Sequence, residues 1–304
     1  MEKRHFNNFI IIISIFILWE ISGSAFCQVS TAKLQQKLPA TLKEVDSLTY
    51  APPRMKLEQP PTLPPVSAVV IAHGSREIKK IALTFDACAT RKPSHYDERV
   101  TKVLVDTKTP ATIFLGGKWM EEEPEHTKYL ASMQQFELGN HSFLHPHMTK
   151  VSKKRTEKEL RWTQEIMYTL IGRQATLFRA PYGEYDSAVV KMAAEMGLTT
   201  IEYDLPSGDP DVHATKEKLI EYVVSKAKNG SIIVMHINQH GWHTAEALPD
   251  IIAGLRKRGF TLVTVGELIQ DLQQKTNDKI KDVNDIKRLI NKRGDYGTRL
   301  LQYV

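Results

Sequence analysis

Two histidines four residues apart, His141 and His145, stand in the stretch ELGNHSFLHPH. Imidazole nitrogens bind zinc and other borderline divalent metals, and a catalytic site needs about three protein ligands and an open position for water. A single histidine is more often a structural residue that is satisfied by a hydrogen bond. The pair, held at close spacing beside a proline, therefore predicts two ligands of a metal centre.

Four further polar residues stand at or near the ends of apolar runs: Asp86, Arg179, Asp209 and His236. We expect Asp86 to be a general base that takes a proton from water, and His236 to donate a proton to a leaving group. Arg179 can keep Asp86 ionised, and Asp209 can favour protonated His236. The backbone amide near Tyr182 can receive an oxyanion. The set predicts hydrolysis of an amide or ester, although each pair alone could be a structural ion pair.

Short apolar runs alternate with amphipathic stretches between residues 78 and 272. Seven such units follow one another, from IALTF with VTKVLVD to FTLVTV with GELIQDLQQ. Continuous apolar strands between helices predict a parallel sheet covered on both faces, either a closed barrel or a doubly wound sheet. We favour an α/β fold of the (β/α) barrel type, because reactive groups in barrels gather at the carboxyl ends of the strands.

Residues 1–25 contain a basic start, the apolar run FIIIISIFILW and a stretch of small residues. This order is typical of a secretory signal peptide, which predicts a secreted, periplasmic or cell-envelope protein. An uncleaved membrane anchor is one alternative, although the run is shorter than the ~20 residues that a spanning helix needs. We therefore expect no stable membrane span after processing. Cys27 raises a second alternative, an acylated lipoprotein, which the bulky Phe26 disfavours.

The rest of the chain divides by composition. Residues 26–77 are rich in proline, and we assign them to an extended linker or stalk. The pattern of residues 273–304 predicts a basic helical tail. The tail either packs on the barrel or is weakly attracted to anionic cell-surface polymers. With 41% hydrophobic residues among 304, the chain can bury a large core, and its net charge of +6 is concentrated in the tail. The nearly balanced middle argues against a nucleic-acid enzyme, and two cysteines exclude a disulfide framework.

Five motifs in order resemble the polysaccharide deacetylase family, also called the NodB-homology domain or carbohydrate esterase family 4: TFDAC, HSFLHP, RAPYG, SGDPD and VMHI. The resemblance covers residues 78 to about 270. It implies a distorted (β/α) barrel, usually of seven strands, and metal-dependent removal of N-acetyl or O-acetyl groups from polysaccharides.

The resemblance also assigns roles, which agree with those inferred from the residues alone. It implies Asp86 as catalytic base, Arg179 as its positioning arginine, Tyr182 as the oxyanion-binding residue and Asp209 with His236 as the acid pair, while His141 and His145 bind the metal. The family tends to place a tryptophan after the aspartate of the fourth motif, where this chain has Pro210. Trp242 is a candidate for that substrate-contacting role, or else lines a sugar groove or shields the core.

One position departs from the family pattern. The first motif usually ends in two aspartates, the second of which binds the metal, and here that position is Ala87. Cys88 or a nearby side chain such as Asp97 could replace the ligand, the metal could keep two histidines and extra water, or hydrolysis could be lost. The motif TFDAC resembles that of a subgroup of such proteins, which has it in place of the aspartate pair. We therefore interpret Ala87 as a feature of this subgroup.

Three functions follow from these observations. The first is an exported deacetylase with a divalent metal, expected to be Zn²⁺, that acts on peptidoglycan, a chitin-like glycan or an exopolysaccharide. The second is a catalytically impaired glycan-binding protein on the same barrel, which Ala87 motivates. The third is a hydrolase of a small amide, which the predicted envelope address makes less attractive.

Overall fold

The computed structural model describes residues 52–89 and 94–276. Its nine strands are β1 (Val70–Ile71), β2 (Lys80–Ala87), β3 (Ala111–Leu115), β4 (Phe136–Asn140), β5 (Leu177–Phe178), β6 (Thr199–Ile201), β7 (Leu205–Pro206), β8 (Ile232–His236) and β9 (Thr261–Val263). The helices are α1 (Glu98–Asp106), α2 (Gly117–Glu122), α3 (Pro124–Ser132), α4 (Lys153–Ile171), α5 (Ser187–Glu195), α6 (Lys216–Lys226), α7 (Thr244–Lys257) and α8 (265–276).

The strands form one sheet in the order β1-β6-β5-β4-β3-β2-β8-β7, and β9 pairs with the first three residues of β2. All neighbouring strands that are hydrogen-bonded to each other in this sheet run parallel. Parallel strands need a crossover between them, and a helix supplies most of these crossovers. The distorted (β/α) barrel predicted from the sequence is therefore confirmed. Its described part has nine strands rather than seven, since the two-residue strands β1 and β7 add to the ends of the sheet.

Side chains of β2 alternate between two apolar layers. Ile81, Leu83, Phe85 and Ala87 belong to the larger core cluster with residues of the surrounding helices. Ala82 belongs to a smaller cluster with Phe114 and Val263 from neighbouring strands. Because successive side chains of a strand point to opposite faces, Asp86 shares the face of Ala82 and not that of Ala87.

Strand register sets the position of the polar residues. Asp86 pairs with Phe114 of β3 on one side and with His236 of β8 on the other. Both pairs lie at the carboxyl ends of their strands, where barrels carry their reactive groups. The expected base and the expected acid are thus direct neighbours on adjacent strands.

Part of the predicted linker belongs to the folded unit. Residues 70–71 form β1, which pairs with β6. Before it, the backbone amide of Glu58 donates to Thr169 of α4 and that of Val66 donates to the carbonyl of Ala194. Proline-rich segments can pack extended on a surface through such contacts, so composition alone does not separate them from a free stalk.

Three predicted segments lie wholly or mainly outside the described residues: the signal peptide 1–25, the first half of the linker and the tail 273–304. Of the tail, residues 273–276 continue α8. Within the described ranges, no helix combines the length and the apolar character that crossing a membrane requires.

Candidate active site

Asp86 and Arg179 form a buried ion pair at the centre of the strand ends. Nη1 of Arg179 donates to Oδ1 of Asp86 at 2.9 Å and to the hydroxyl of Thr84 at 2.8 Å, and both charged residues are almost fully buried. Burial raises the pKa of Asp86, but the positive Arg179 and the nearby imidazoles outweigh burial and hold the pKa below its ordinary value. Asp86 is therefore ionised at neutral pH, as a base must be.

A ring stack keeps Arg179 in place. Its guanidinium carbon lies 4.1 Å from the centre of the Phe114 ring, which is within the range of a cation–π contact. Phe114 pairs in register with Gly139 of β4, where a Cβ atom would approach the ring to 2.5 Å. Gly139 therefore leaves the room in which the Phe114 ring supports the arginine.

His236 and Asp209 form the second polar pair. Nδ1 of His236 lies 3.0 Å from Oδ1 of Asp209, and the other carboxylate oxygen accepts from the backbone amide of His236 and from Thr244. Ser207 donates to Oδ1 as well. Burial lowers the pKa of His236, but the Asp209 charge and hydrogen bond outweigh it and raise the pKa above its ordinary value. The pair favours a protonated imidazole, which suits a general acid.

His141 and His145 come together with Cys88. One ring nitrogen of each histidine and the sulfur of Cys88 all lie within 4.8 Å of one another. Nδ1 of His141 lies 2.9 Å from the carbonyl oxygen of Arg179 and donates to it, which leaves Nε2 with its lone pair. Nδ1 of His145 is buried and has no hydrogen-bond partner among the described residues. A thiol and two imidazoles suit a zinc ion, so this donor set fits the expected metal.

The structure also shows where Ala87 and Asp97 lie, the departing position and the other side chain considered as a third ligand. Ala87 is fully buried in the core cluster that faces the helices. Asp97 caps α1 and both of its carboxylate oxygens accept hydrogen bonds from Arg99, so its carboxylate serves the start of the helix and not the histidines. Of the two replacements considered from the sequence, the structure brings Cys88 to the histidines.

Glu159 of α4 anchors the loop that carries both histidines. One of its oxygens accepts from the backbone amides of Phe143 and Leu144, which lie between His141 and His145, and the other binds Arg155. This residue was not predicted. Its position four residues before Thr163, on the apolar face of the helix, was the available signal, because a buried glutamate needs partners.

Strained backbone clusters around the same loops. Of the five non-glycine residues with positive φ in the described part, four lie there: Ser142, His145, Tyr182 and His243. Such conformations cost of order 1–3 kcal/mol each and persist where packing over-determines them, as at active sites. Tyr182 is 52% exposed, with its ring 4.5 Å from that of His145 and stacked on His147 at 4.2 Å. The stack holds the predicted oxyanion residue beside the histidines.

Two open cavities lie on the loops at this end of the barrel. One, of about 640 Å³, is lined by Tyr182, Tyr185, Tyr203 and the carboxylates of Glu184 and Glu202, among others. The other, of about 730 Å³, holds Trp242, which is 47% exposed and does not shield the core. Its walls include Tyr96, Asp97, Glu98, Arg99 and Glu246. The Trp242 loop is fixed to the acid pair, since the amide of Trp242 donates to the carbonyl of Asp209 at 2.7 Å.

Comparisons with known proteins identify the family that the chain resembles. The family model described as polysaccharide deacetylase matches residues 73–201. The uncharacterised protein YlxY of Bacillus subtilis is 32% identical over 183 residues, which cover 59% of this chain and 54% of YlxY. The peptidoglycan-N-acetylmuramic acid deacetylase PdaA of the same organism is 29% identical over 199 residues, which cover 64% of this chain and 73% of PdaA. The chain thus spans about half the length of one relative and nearly three quarters of the other.

The chain is also similar to solved structures of polysaccharide deacetylases and related proteins. BA3943 of Bacillus anthracis, a CE4 family pseudoenzyme, matches with a TM-score of 0.62 and 26% identity over 68% of this chain and 70% of that one. A BA3943 mutant with restored enzymatic activity matches with a TM-score of 0.61. The T48 deacetylase, solved with substrate, matches with a TM-score of 0.56 and 30% identity over 64% of this chain and 92% of that one. The chain belongs to the polysaccharide deacetylase family.

Proposed function

We propose that this chain is a metal-dependent deacetylase that hydrolyses acetyl groups on a glycan of the cell envelope or its surroundings. The observation that carries the proposal is the convergence, at the carboxyl ends of the strands, of a carboxylate with a lowered pKa, an imidazole with a raised pKa and a cluster of metal-binding donors. Asp86 and His236 are neighbours in the strand register. A buried base and acid with pKa values shifted in opposite directions are typical of hydrolytic sites.

The predicted metal donors are His141 and His145, and the sulfur of Cys88 lies within 4.8 Å of one ring nitrogen of each. A divalent ion held there supplies activation of water at neutral pH and polarisation of the acetyl carbonyl. Asp86 takes the proton from the attacking water, because Arg179 keeps it ionised and oriented. The Tyr182 ring lies beside the ring of His145, and the backbone amide near Tyr182 is the donor that we assign to the oxyanion.

Collapse of the tetrahedral intermediate needs a proton on the departing amine or alcohol. His236 provides it, since Asp209 holds its Nδ1 and leaves Nε2 as the atom that donates. The products are acetate and a free amine from an N-acetyl group, or a free hydroxyl from an O-acetyl group. Asp86 and His236 then exchange protons with water and return to their starting states.

The two cavities support a polymer as substrate. Exposed Tyr182 and Trp242 offer rings with one apolar face and one polar edge, as sugar rings require. Of the described residues that line the two cavities, Arg99 is the one Lys or Arg, and it is bound by Asp97 and Glu246. The excess of carboxylates favours an uncharged N-acetylated stretch over a stretch rich in acidic groups.

Acetate release from a substrate panel tests the proposal. The full chain would be incubated with chitooligosaccharides, peptidoglycan and acetylated xylan, with chelator and with added zinc. We expect release that chelator abolishes and zinc restores, fastest on the chitooligosaccharides. Asp86→Asn and His236→Ala should each lower turnover by about 10²-fold or more while the circular dichroism spectrum is retained. Lys102→Ala, at the exposed pair with Asp106, is the matched control and should leave turnover unchanged. Full turnover in both site variants would refute the assignment.

A glycan-binding protein without turnover is the second candidate. Ala87 at the usual ligand position and the similarity to a CE4 family pseudoenzyme favour it. This candidate predicts glycan binding that survives His141→Ala and chelation, with no acetate released from any substrate. Metal-dependent acetate release would exclude it.

A further inference from the structure

The side chain at position 87 belongs to the apolar core. Its side chain is in the core cluster that includes Phe85 and residues of the surrounding helices, and none of its surface is exposed. Strand β2 ends at Ala87, so the alternation of the pleat no longer fixes the direction of the next residue. Cys88 follows directly after the strand and brings its sulfur to the histidines.

Cys88 is held in that position by the loop after β8. Nδ2 of Asn238 donates to the carbonyl oxygen of Cys88 at 2.8 Å and lies 3.9 Å from its sulfur. Asn238 is itself buried and bridges to Tyr96, so the contact joins two loops. An amide that approaches a cysteine sulfur in this way favours the thiolate, as the outer contacts of metal-bound cysteines do.

The surroundings of the sulfur do not suit a free thiol with a merely structural role. Two imidazoles face the sulfur of Cys88. In one of them, His141, the bond from Nδ1 to the carbonyl of Arg179 leaves the lone pair on Nε2, where it can bind a metal. The other, His145, has a buried Nδ1 without a partner among the described residues. Structural cysteines usually pack among apolar groups, and here three potential ligands meet instead.

We propose that the thiolate of Cys88 is the third protein ligand of the metal, so that the ligand usually found at position 87 is moved by one residue and not lost. The inference rests on the proposed metal-dependent function but concerns coordination alone. On binding, the sulfur–hydrogen bond breaks, the proton leaves to solvent and the sulfur electron pair binds the ion. A thiolate with two imidazoles is a soft donor set, which selects zinc or cobalt over magnesium, calcium or manganese.

Cobalt reports this ligand directly. The full chain, freed of metal and titrated with Co²⁺ alone, should show a thiolate-to-cobalt charge-transfer band in the near ultraviolet at one ion per chain. This spectrum needs no variant, so it does not depend on how well a mutant folds. A cobalt complex formed at one ion per chain without that band would overturn the proposal, and so would failure to bind either Co²⁺ or Zn²⁺.

Variants separate ligation from packing. Cys88→Ser should lose the band and bind zinc about 100-fold more weakly or worse, whereas Cys88→Asp should lose the band but recover part of the zinc affinity. Thr200→Val is the matched control, because Thr200 is a buried barrel residue whose hydroxyl has no partner among the described residues. It should keep both the band and the affinity. Unchanged zinc affinity in Cys88→Ser would overturn the proposal.

The two proposals fail in different ways. A chain that shows the charge-transfer band but releases no acetate from any substrate would keep Cys88 as a ligand and exclude the deacetylase function. A chain that releases acetate with metal, and does so equally well as Cys88→Ser with unchanged zinc affinity, would keep the function and exclude Cys88 as a ligand.

Discussion

The substitution Asp209→Asn tests the acid role of His236 through a shift in pH dependence. In the native site the Asp209 charge overcomes burial and raises the pKa of His236. The amide keeps the size of the carboxylate but removes its charge, so burial and the positive Arg179 then lower the pKa of His236 against the weaker opposition of the Asp86 charge alone. A hydrogen bond to a charged group contributes ~1.5–3 kcal/mol, and 1.36 kcal/mol corresponds to one pKa unit. The pKa of His236 should therefore fall by about 1–2 units.

The assay is kcat/KM for acetate release as a function of pH. An acid must be protonated, so activity declines as pH rises through the pKa of His236, and this alkaline limb should move down by about 1–2 units in Asp209→Asn. Because the folded-state pKa is raised above 6.5, the pair also contributes stability that is complete below that pH and is lost as pH rises through the folded-state value. The variant should thus lose stability mainly on the acid side.

Thr244→Val is the matched control. It removes the hydroxyl that donates to Oδ2 of Asp209 at 2.7 Å but leaves the carboxylate charge and its bond to His236. Its alkaline limb should stay close to the wild-type limb, since the lost hydrogen bond ends on Oδ2 and leaves in place the carboxylate charge and the Oδ1 contact that act on the imidazole. An alkaline limb that does not move in Asp209→Asn, or moves to higher pH, would refute the reasoning.

Three further outcomes can be measured on stability and activity together. Gly139→Ala should displace the Phe114 ring, which supports Arg179, and lower the free energy of unfolding in urea by about 1–3 kcal/mol. It should lower kcat by a larger factor than it changes KM, and a normal kcat would contradict this prediction. Glu159→Gln should lower the unfolding free energy by about 3–5 kcal/mol, because it removes the charged partner from the buried Glu159–Arg155 ion pair, and should weaken zinc binding in calorimetry; an unaffected zinc affinity would disprove this. Asp86→Asn should destabilise the fold at neutral pH, and the difference from wild type should vanish as pH falls below 3.8 through the lowered folded-state pKa; a difference that persists in acid would show that charge is not its cause.

The sequence predicts the barrel and the residues at its strand ends because these follow from local patterns. An apolar run that ends in Asp86 and another that ends in His236 place two polar groups at one edge of any parallel sheet. What the pattern does not contain is the register that makes these two residues direct neighbours. Register depends on packing across the whole sheet, so only the folded chain reveals it.

The supporting residues escape sequence reasoning for a related reason. Glu159 acts on a loop that precedes it by 15 or 16 residues, and Gly139 acts through Phe114 on Arg179, which follows a third strand. Such effects are steric or electrostatic contacts between distant elements. The apolar helix face marks Glu159 as buried, but no local pattern identifies the partners of either residue. Cys88 was recognisable as a metal-binding residue type, but its direction depends on where β2 ends.

The energetics of the buried charges favour an enzyme over a binding protein. Asp86 and Arg179 are held almost out of water, and such a pair is often no more stabilising than apolar residues of the same volume. Nε and Nη2 of Arg179 are also buried without partners among the described residues, which costs further free energy. A glycan-binding groove needs exposed rings and hydrogen bonds, and the exposed Tyr182 and Trp242 offer those at no such cost. A chain that only bound glycans would gain nothing from an oriented, ionised carboxylate beneath the surface, whereas a general base requires one.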